Sequence, residues 1–241
     1  MTKPALDDDD RPRRRRDKLS PEPAVRNSIV AAAVEIAREQ GVRALNVASV
    51  LKRCHLGTRA FYRHFASKDE LVAALFLEAA RAEKRRLRRK MRRSPTPVDA
   101  VAAWIDGRLD LAFDPNIKSE LRQLSVEAQS LMFASPPLVL AAFNEMLAPL
   151  VEELNRGLND GVFNDIDPQT SAQIIQGAVW ACIEREWVAG DGDPGEVRRQ
   201  VLQTCLRGLG VAPKSVAAVL AARSDSSPKK GLTQAADRQH G

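Results

Sequence analysis

The stretch from Asn46 to Phe65, NVASVLKRCHLGTRAFYRHF, predicts two short helices that share an apolar underside. Asn46 is suited to cap the first helix through its side-chain oxygen. Val47, Val50 and Leu51 then recur at the spacing of one buried helix face. One side of this helix is therefore expected to pack and the other to remain free.

The second predicted helix starts at Gly57 and combines an apolar side with a polar one. Phe61 and Phe65 fall on the apolar side, and we expect them in the core because aromatic residues at this spacing are usually buried. The opposite side carries Arg59, Tyr62 and Arg63. Donors placed this way can reach base edges in the major groove, so the pair predicts a DNA-reading helix-turn-helix.

Residues 24–80 also resemble the DNA-binding domain of the tetracycline-repressor (TetR/AcrR) family. The family's helix ends in Tyr-x-His-Phe, followed by Ser-Lys-Asp/Glu, and this chain has Tyr62-Arg63-His64-Phe65 and then Ser67-Lys68-Asp69-Glu70. Asn46 lies at the family's Thr position without an intervening insertion or deletion. The resemblance implies an all-α fold with an N-terminal three-helix helix-turn-helix domain and a C-terminal helical bundle for ligand binding and dimerisation.

Four positions depart from the family pattern. His55 replaces the turn glycine, Gly57 the Ser or Thr at the helix start, Arg59 a common glycine, and Ala60 a frequent phosphate-binding Thr. These changes affect which operator sequence is read rather than whether DNA is bound.

The resemblance assigns a DNA-binding set to the two helices and the turn that follows. Thr58, Arg59, Tyr62 and Arg63 are expected to face bases or nearby phosphates. His64 and Lys68 are expected to hold the DNA backbone, and Asn46, Ser49 and Lys52 are weaker candidates on the preceding helix. Taken alone, His64 would read as an ordinary surface histidine, because a neutral imidazole is a poor phosphate anchor.

A capping box is predicted where the next helix begins, with Ser67 and Glu70 satisfying each other's backbone donors. Lys68 lies in the first turn, where the helix dipole disfavours a cation. Attraction of a phosphate to the same terminus would explain it, and a solvated lysine is the alternative.

Charge is segregated along the chain. Residues 1–93 carry 24 Lys or Arg against 12 Asp or Glu, whereas residues 94–241 carry 13 against 19. The basic segment, residues 1–93, holds the predicted helix-turn-helix, which favours a nucleic-acid partner for this segment.

Two charged segments allow more than one interpretation. Residues 1–20, with Asp7 to Asp10 before an arginine run, are expected to be disordered, either as a basic arm that reaches DNA or as a solubilising tail. The basic run from Arg81 to Arg93 is expected to be mostly solvated helix surface, with its first residues near the DNA backbone.

Beyond the prolines of Ser94–Pro97 the chain reads as longer apolar helices, at about 98–113, 118–133, 137–159, 168–190 and 194–209. No stretch alternates for long enough to predict a sheet. We therefore divide the chain into an arm (1–20), a helix-turn-helix domain (21–80), a helical ligand-binding and dimerisation domain (81–211) and a disordered tail (212–241).

The family resemblance implies a small-molecule pocket and a dimer interface in the second domain. The candidate pocket residues are its large side chains: Trp104, Phe113, Met132, Phe133, Phe143, Met146 and Trp180. The candidate dimer residues form apolar stripes on the last two predicted helices: Ile175, Val179, Cys182, Ile183, Val201, Leu202, Cys205 and Leu206. Taken individually, a large apolar side chain of this kind is more often ordinary core, and packing within the subunit alone is the alternative for the two stripes.

These features predict a transcriptional regulator, a repressor that a small apolar effector releases from a palindromic operator bound by a homodimer. A non-specific basic architectural or membrane-surface protein is one alternative. An enzyme is another, although no catalytic triad, phosphate loop or metal spacing supports it, and Glu184 and Glu186 are not distinctively placed.

The remaining composition sets the expected surroundings. No apolar stretch approaches the roughly 20 residues that span a bilayer, and the N-terminus lacks a signal-peptide core, so we expect a cytoplasmic protein that does not bind membranes. Three widely spaced cysteines fit reduced thiols. We expect no metal and no cofactor.

Overall fold

The computed structural model describes residues 22–117 and 119–224 of the chain. Within these ranges the chain is helical and contains no β-strand. The helices are α1 (Pro23–Gln40), α2 (Val47–Cys54), α3 (Thr58–His64), α4 (Lys68–Met91), α5 (Pro97–Phe113), α6 (Ser119–Ala134), α7 (Leu140–Asn159), α8 (Pro168–Ala189), α9 (Pro194–Gly208) and α10 (Pro213–Ser224). Short 3-10 turns at Val42–Ala44 and Pro136–Leu138 precede α2 and α7.

The first three helices and the start of α4 form one small unit, which we call the head (residues 22–78). Its core includes Ile29 and Ile36 of α1, Phe61 of α3, Phe65, and Leu71 of α4, all of them almost completely buried. The two phenylalanines pack together with ring centroids 5.5 Å apart. Their predicted place in the core is confirmed.

Polar side chains define where several helices begin. Asn46 accepts a hydrogen bond from the backbone N–H of Ser49 at 2.8 Å and caps α2 as predicted. Thr96 and Asp167 cap α5 and α8 in the same way, each in front of a proline at the start of the helix.

The predicted capping box at α4 is only half formed. The Ser67 hydroxyl accepts from the Glu70 N–H at 3.2 Å. The Glu70 carboxylate, however, accepts from the N–H of Ala66 at 2.7 Å instead of that of Ser67. The helix start is as predicted, but the reciprocal bond lies one residue earlier.

The remaining helices surround α5 and form the body (residues 79–224). Trp104, Ile105 and Leu109 of α5 are fully buried, and α4, α7, α8 and α9 pack around this helix. An apolar side chain on nearly every side explains why α5 sits at the centre.

Two connections join the head to the body. α4 runs through both units, so the domain boundary predicted at residue 80 falls inside a continuous helix. Leu124 of α6, Val139, and Ala142 of α7 belong to the same apolar cluster as the core of the head. The head is therefore braced on two sides by helices that also build the body.

The predicted disordered tail from residue 212 is wrong in its first part, because Pro213–Ser224 forms α10. Val216 and Val219 are buried against the body, and the Arg223 guanidinium donates to Asp106 of α5 at 2.8 Å. The Ala-rich composition hid this apolar spacing. The predicted arm (1–20) and the rest of the predicted tail lie outside the described residues, and so does residue 21.

None of the described helices is long and apolar enough to cross a membrane. The described ranges also contain no group of three or more His, Cys, Asp or Glu residues arranged to hold a metal ion.

Candidate nucleic-acid interface and buried cavity

The turn between α2 and α3 requires a left-handed residue. His55 adopts φ 55° and ψ 38°, a conformation that glycine takes more easily than other residues. Its N–H donates back to the end of α2, at 3.3 Å from the Lys52 carbonyl oxygen. The histidine thus fills the role of a turn glycine at some conformational cost.

The outer face of α3 is exposed and polar. Thr58, Arg59 and Arg63 are exposed, and Tyr62 keeps 63% of its surface accessible although its ring edge rests on Phe61. A large aromatic side chain that remains this exposed is available to an external partner. The predicted base-facing residues thus share one surface, above the buried phenylalanines.

Arginines of the head divide into bound and unbound groups. Arg53 of α2 is fixed to α1 by a two-pronged contact with Glu39, with N···O distances of 2.7 and 2.8 Å. Arg59 and Arg63 have no ion-pair or hydrogen-bond partner within the described part of the chain. The guanidinium groups of the two α3 arginines are therefore free for another molecule within the described residues, as are those of Arg38 and Arg43 elsewhere in the head.

The other predicted DNA-binding residues lie on α2 or at its start, at the end of α3 and at the start of α4. Lys52 and Lys68 are exposed, whereas Ser49 is half-buried and its hydroxyl donates to the Asn46 carbonyl oxygen at 2.9 Å. His64 is half-buried, and its Nδ1 is buried without a partner among the described residues. Asn46 uses its side-chain oxygen to cap α2.

The body contains a cavity of about 70 Å³ bounded by α4, α5, α6, α7 and α8. Most of its lining is apolar and includes Phe76 and Ala80 of α4, Leu124 of α6, and Phe143 of α7. Because all four of these residues pack in or against the head cluster, the cavity borders the core of the head.

Five polar residues interrupt the apolar wall: Ser125 and Gln129 of α6 are half-buried, and Glu83, Arg108 and Gln176 are each at most 7% exposed. Arg108 Nη1 donates to Glu83 Oε1 at 2.8 Å, which pairs the two buried charges. By contrast, neither Oε1 nor Nε2 of Gln176 has a hydrogen-bond partner among the described residues, and Arg108 Nε is also unpartnered there.

The buried pair is the inner end of a larger ionic network. Arg86 of α4 donates to both Glu83 oxygens at 2.8 Å and reaches Asp110 of α5 at 3.3 Å. Asp110 also binds Lys90 and accepts from Arg198 of α9 at 2.9 Å. The network ties α4, α5 and α9 together behind the cavity wall.

The sequence interpretation of the basic run on α4 is therefore only partly right. Arg81, Arg85 and Arg89 are exposed as expected, but Arg86 and Lys90 bind carboxylates of the body. Lys84 pairs with Glu145, and Arg88 with Glu152, at 3.2 and 2.6 Å. Much of this positive charge is thus used within the fold.

Residues 29–75 match the family model described as bacterial regulatory proteins, tetR family. The matched segment contains α2, α3 and most of the core of the head. The head of this DNA-binding transcriptional regulator belongs to the tetR family.

Solved structures share the fold of the regulator over most of its length. RolR in complex with resorcinol is 18% identical, with a TM-score of 0.60, and the match covers 88% of this chain and 96% of RolR. FadR from Bacillus halodurans, a fatty acid degradation regulator, is 20% identical, with a TM-score of 0.54 and coverage of 77% and 95%. SmeT, the repressor of the Stenotrophomonas maltophilia multidrug efflux pump SmeDEF, is 23% identical, with a TM-score of 0.52 and coverage of 76% and 89%. A search of curated proteins finds no significant match.

The seven predicted pocket residues of the regulator do not lie together. Phe143, Met146 and Trp180 line the cavity. Trp104 is fully buried in the core of the body. Phe113 packs under the Arg198 guanidinium, whose Cζ lies 5.8 Å from the centroid of the ring. Met132 packs against the head cluster, whereas Phe133 is 81% exposed.

The predicted dimer stripes of the regulator face inward. Seven of the eight residues are buried in the core of the subunit, and Cys182 is half-buried; the seven are Ile175, Val179, Ile183, Val201, Leu202, Cys205 and Leu206. Burial, together with nearby Cys182, raises the pKa of the Cys205 thiol to about 11. The apolar residues that α8 exposes are instead Ile174 and Val188.

Sequence reasoning missed Glu83, Arg108 and Gln176. A local signal exists only for Arg108, a charge placed between apolar residues on both neighbouring turns of α5. Glu83 looked like one acid within a basic run, and Gln176 like a surface amide. Their association depends on contacts between distant parts of the chain.

Proposed function

We propose that the regulator is a repressor that binds a two-fold symmetric operator through α3 and is released by a small, mainly apolar ligand bound in the body. The observation that carries the proposal is the exposed face of α3, where Arg59 and Arg63 have no partner within the described residues. Unpaired guanidinium groups on a short exposed helix are suited to bind guanine edges or phosphates.

The roles of the individual residues follow from their positions. Thr58, Arg59, Tyr62 and Arg63 contact bases or adjacent phosphates from the face of α3. His64 and Lys68 bind the DNA backbone on one side of this face. Further DNA contacts come from Asn46, Ser49 and Lys52 at the start of α2 and on α2. The side chains of Asn46 and Ser49 also form hydrogen bonds at the start of that helix.

Regulators of this family function as dimers, and two recognition helices can read half-sites about one helical turn apart. We assign the interface to the outward faces of α8 and α9. On α8 this face includes the small residues Gly177 and Ala181 between the exposed Ile174 and Val188. The buried stripes behind it support the interface from within the subunit.

The cavity provides a physical route from ligand to DNA. Leu121, Ser125 and Ala128 place one side of α6 on the cavity. On the same helix the Glu127 carboxylate accepts a hydrogen bond from the Val42 N–H, at 2.8 Å, in the connection between α1 and α2. A ligand that displaces α6 therefore changes how the head is held.

The size of the cavity favours such a displacement. An apolar cavity of about 150 Å³ is large enough for benzene, whereas this one measures about 70 Å³. A one-ring ligand therefore exceeds the space inside the cavity and would either displace its walls or extend through its open side. If the widened state holds the two recognition helices at the wrong spacing, ligand and operator weaken each other's binding reciprocally.

Selection of bound duplexes from random DNA at near-physiological salt tests the proposal. We expect a two-fold symmetric consensus, and we expect Arg59→Ala to lose about 1–3 kcal/mol of discrimination at one position in each half-site. Arg156→Ala is the charge-matched control, because Arg156 lies near the far end of α7 from the head. Enrichment of no particular sequence, with a uniform loss at high salt, would instead favour a non-specific architectural protein.

Ligand release is tested on the selected operator with a panel of one-ring aromatic compounds. The resorcinol complex of RolR makes hydroxylated aromatics a suitable first set. The expected result is a loss of operator affinity at saturating ligand for at least one compound that binds the protein. An operator complex unaffected by every compound that binds would contradict the release mechanism.

A further inference from the structure

The amide of Gln176 is the unusual feature of the cavity. Gln176 is 7% exposed and lines the cavity, and both its oxygen and its nitrogen lack partners among the described residues. A buried polar group without a hydrogen bond destabilises a fold, so most such groups are satisfied. An acceptor and a donor left side by side are therefore suited to receive a group that can both donate and accept.

The charge of the lining limits what that group can be. Glu83 and Arg108 are the two charged residues in contact with the cavity, and they form an ion pair with each other. Arg86 forms a second ion pair with Glu83 and is itself also paired with Asp110. An anionic or cationic ligand would add an unmatched charge at a buried site, which is costly.

Arg108 still offers one further donor. Its Nε is buried without a partner among the described residues, although Nη1 is held by Glu83. The fully buried polar part of the cavity therefore presents one unpartnered acceptor, Gln176 Oε1, and unpartnered donors from two side chains. Ser125 and Gln129 of α6 add half-buried polar groups to the wall. The remaining wall consists mainly of Phe143, Met146, Trp180 and other apolar side chains.

We propose that the ligand of this cavity is an uncharged one-ring molecule whose polar group donates to Gln176 Oε1 and accepts from Gln176 Nε2 or Arg108 Nε. This inference rests on the proposed ligand-responsive function and names the ligand class for it. A primary amide or a hydroxyl on an aromatic ring meets the requirement. A carboxylate of the same shape lacks the donor and carries an unmatched charge.

Three compounds of similar size separate the possibilities: benzamide is neutral with donor and acceptor, benzoate is an anion without a donor, and toluene is apolar. Their affinities for the full chain can be measured by calorimetry or by tryptophan fluorescence, to which Trp180 in the cavity wall contributes. We expect benzamide to bind at least tenfold more tightly than benzoate and toluene. Equal or tighter binding of benzoate, or no binding of benzamide, overturns the proposal.

Variants on α8 test the role of the amide itself. Gln176→Leu should weaken benzamide binding at least tenfold and leave toluene binding unchanged or tighter. Gln173→Leu is the matched control, because Gln173 is exposed on the same helix and should change neither affinity. Loss of all ligands equally in Gln176→Leu, or of none, counts against the proposal. Should this variant fold poorly, the order of the three compounds in the unmodified protein decides alone.

A simpler occupant of the cavity is water. A volume of about 70 Å³ has room for about two molecules at ~30 Å³ each, and these could satisfy the amide. In that case benzamide does not bind, and the proposal is wrong. Operator binding is measured separately: benzamide that binds as expected without weakening the operator complex refutes ligand release but not the ligand class.

Discussion

The head and the body use polar side chains in opposite ways. On α3 the head exposes Arg59 and Arg63 without partners in the described structure. The body buries Arg108 and Glu83 against each other and surrounds them with further charges. Exposed polar groups are available to another molecule at little cost to the fold, whereas buried ones must be satisfied internally. Gln176 departs from this pattern with both of its amide atoms and lies on the cavity wall, which makes the body a ligand-binding candidate.

Removing the buried carboxylate should have the largest effect. Glu83→Gln leaves the Arg108 guanidinium buried without its counter-charge, and we expect it to lower the free energy of unfolding by about 3–5 kcal/mol. Urea denaturation measures this loss. Glu152→Gln is the control, because Glu152 forms its ion pair with Arg88 at the surface and should cost less than about 1 kcal/mol. Equal effects of the two variants would remove the contrast between exposed and buried charges on which the comparison of head and body rests.

The same carboxylate makes part of the stability depend on pH. Burial alone would raise the pKa of Glu83, but its hydrogen bonds and charge interactions with Arg86 and Arg108 outweigh burial and hold the pKa below its usual 4.5. A depressed carboxylate pKa contributes stability that is present above pH 4.5 and is lost as the pH falls toward the folded-state value. Glu83→Gln should therefore flatten the loss of stability on acidification below pH 4.5.

The sequence predicted the head far better than the body for a physical reason. The α2–α3 unit depends on residues close together in the chain, such as Asn46 capping Ser49 and Phe61 packing on Phe65. Local spacing and cap chemistry therefore identify it. In the body, Glu83 meets Arg108 across 25 positions, and Gln176 comes from a third helix. Nothing in local spacing indicates which helices will meet.

The apolar stripes show the same limit. Periodicity on α8 and α9 correctly predicts a packed face at Val179, Ile183 and Leu206, since these side chains are buried. It does not tell whether the face packs within the subunit or against another chain. The same limit explains why α10 was not predicted. Its Val216 and Val219 are buried against the body, and local sequence does not show that this segment packs there.

An intermediate effect of opposite sign is expected at the cavity. Gln176→Leu removes an unsatisfied buried amide and adds apolar contact, so without added ligand it should raise the free energy of unfolding by about 1–3 kcal/mol. Thermal or urea unfolding measures the gain, with Gln173→Leu expected to stay within about 0.5 kcal/mol. Destabilisation by Gln176→Leu would indicate that the amide already has hydrogen-bond partners. The polar groups of the cavity would then be satisfied internally, like the Arg108–Glu83 pair.

The smallest effect compares two helix caps, one in each region. Asn46→Ala and Thr96→Ala each remove the side-chain oxygen that accepts a backbone N–H at the start of a helix, and each should cost about 1 kcal/mol of stability. Their effects on DNA should differ, because Asn46 also fixes the start of α2 beside the recognition helix, whereas Thr96 caps α5 in the body. Operator binding is compared at a temperature where both variants are fully folded, so that lost stability cannot explain a difference. Under this condition we expect Asn46→Ala to weaken operator binding and Thr96→Ala to leave it unchanged. Equal operator affinity of the two folded variants would show that α2 serves only as a support for α3, and that DNA contact is confined to α3 and the residues after it.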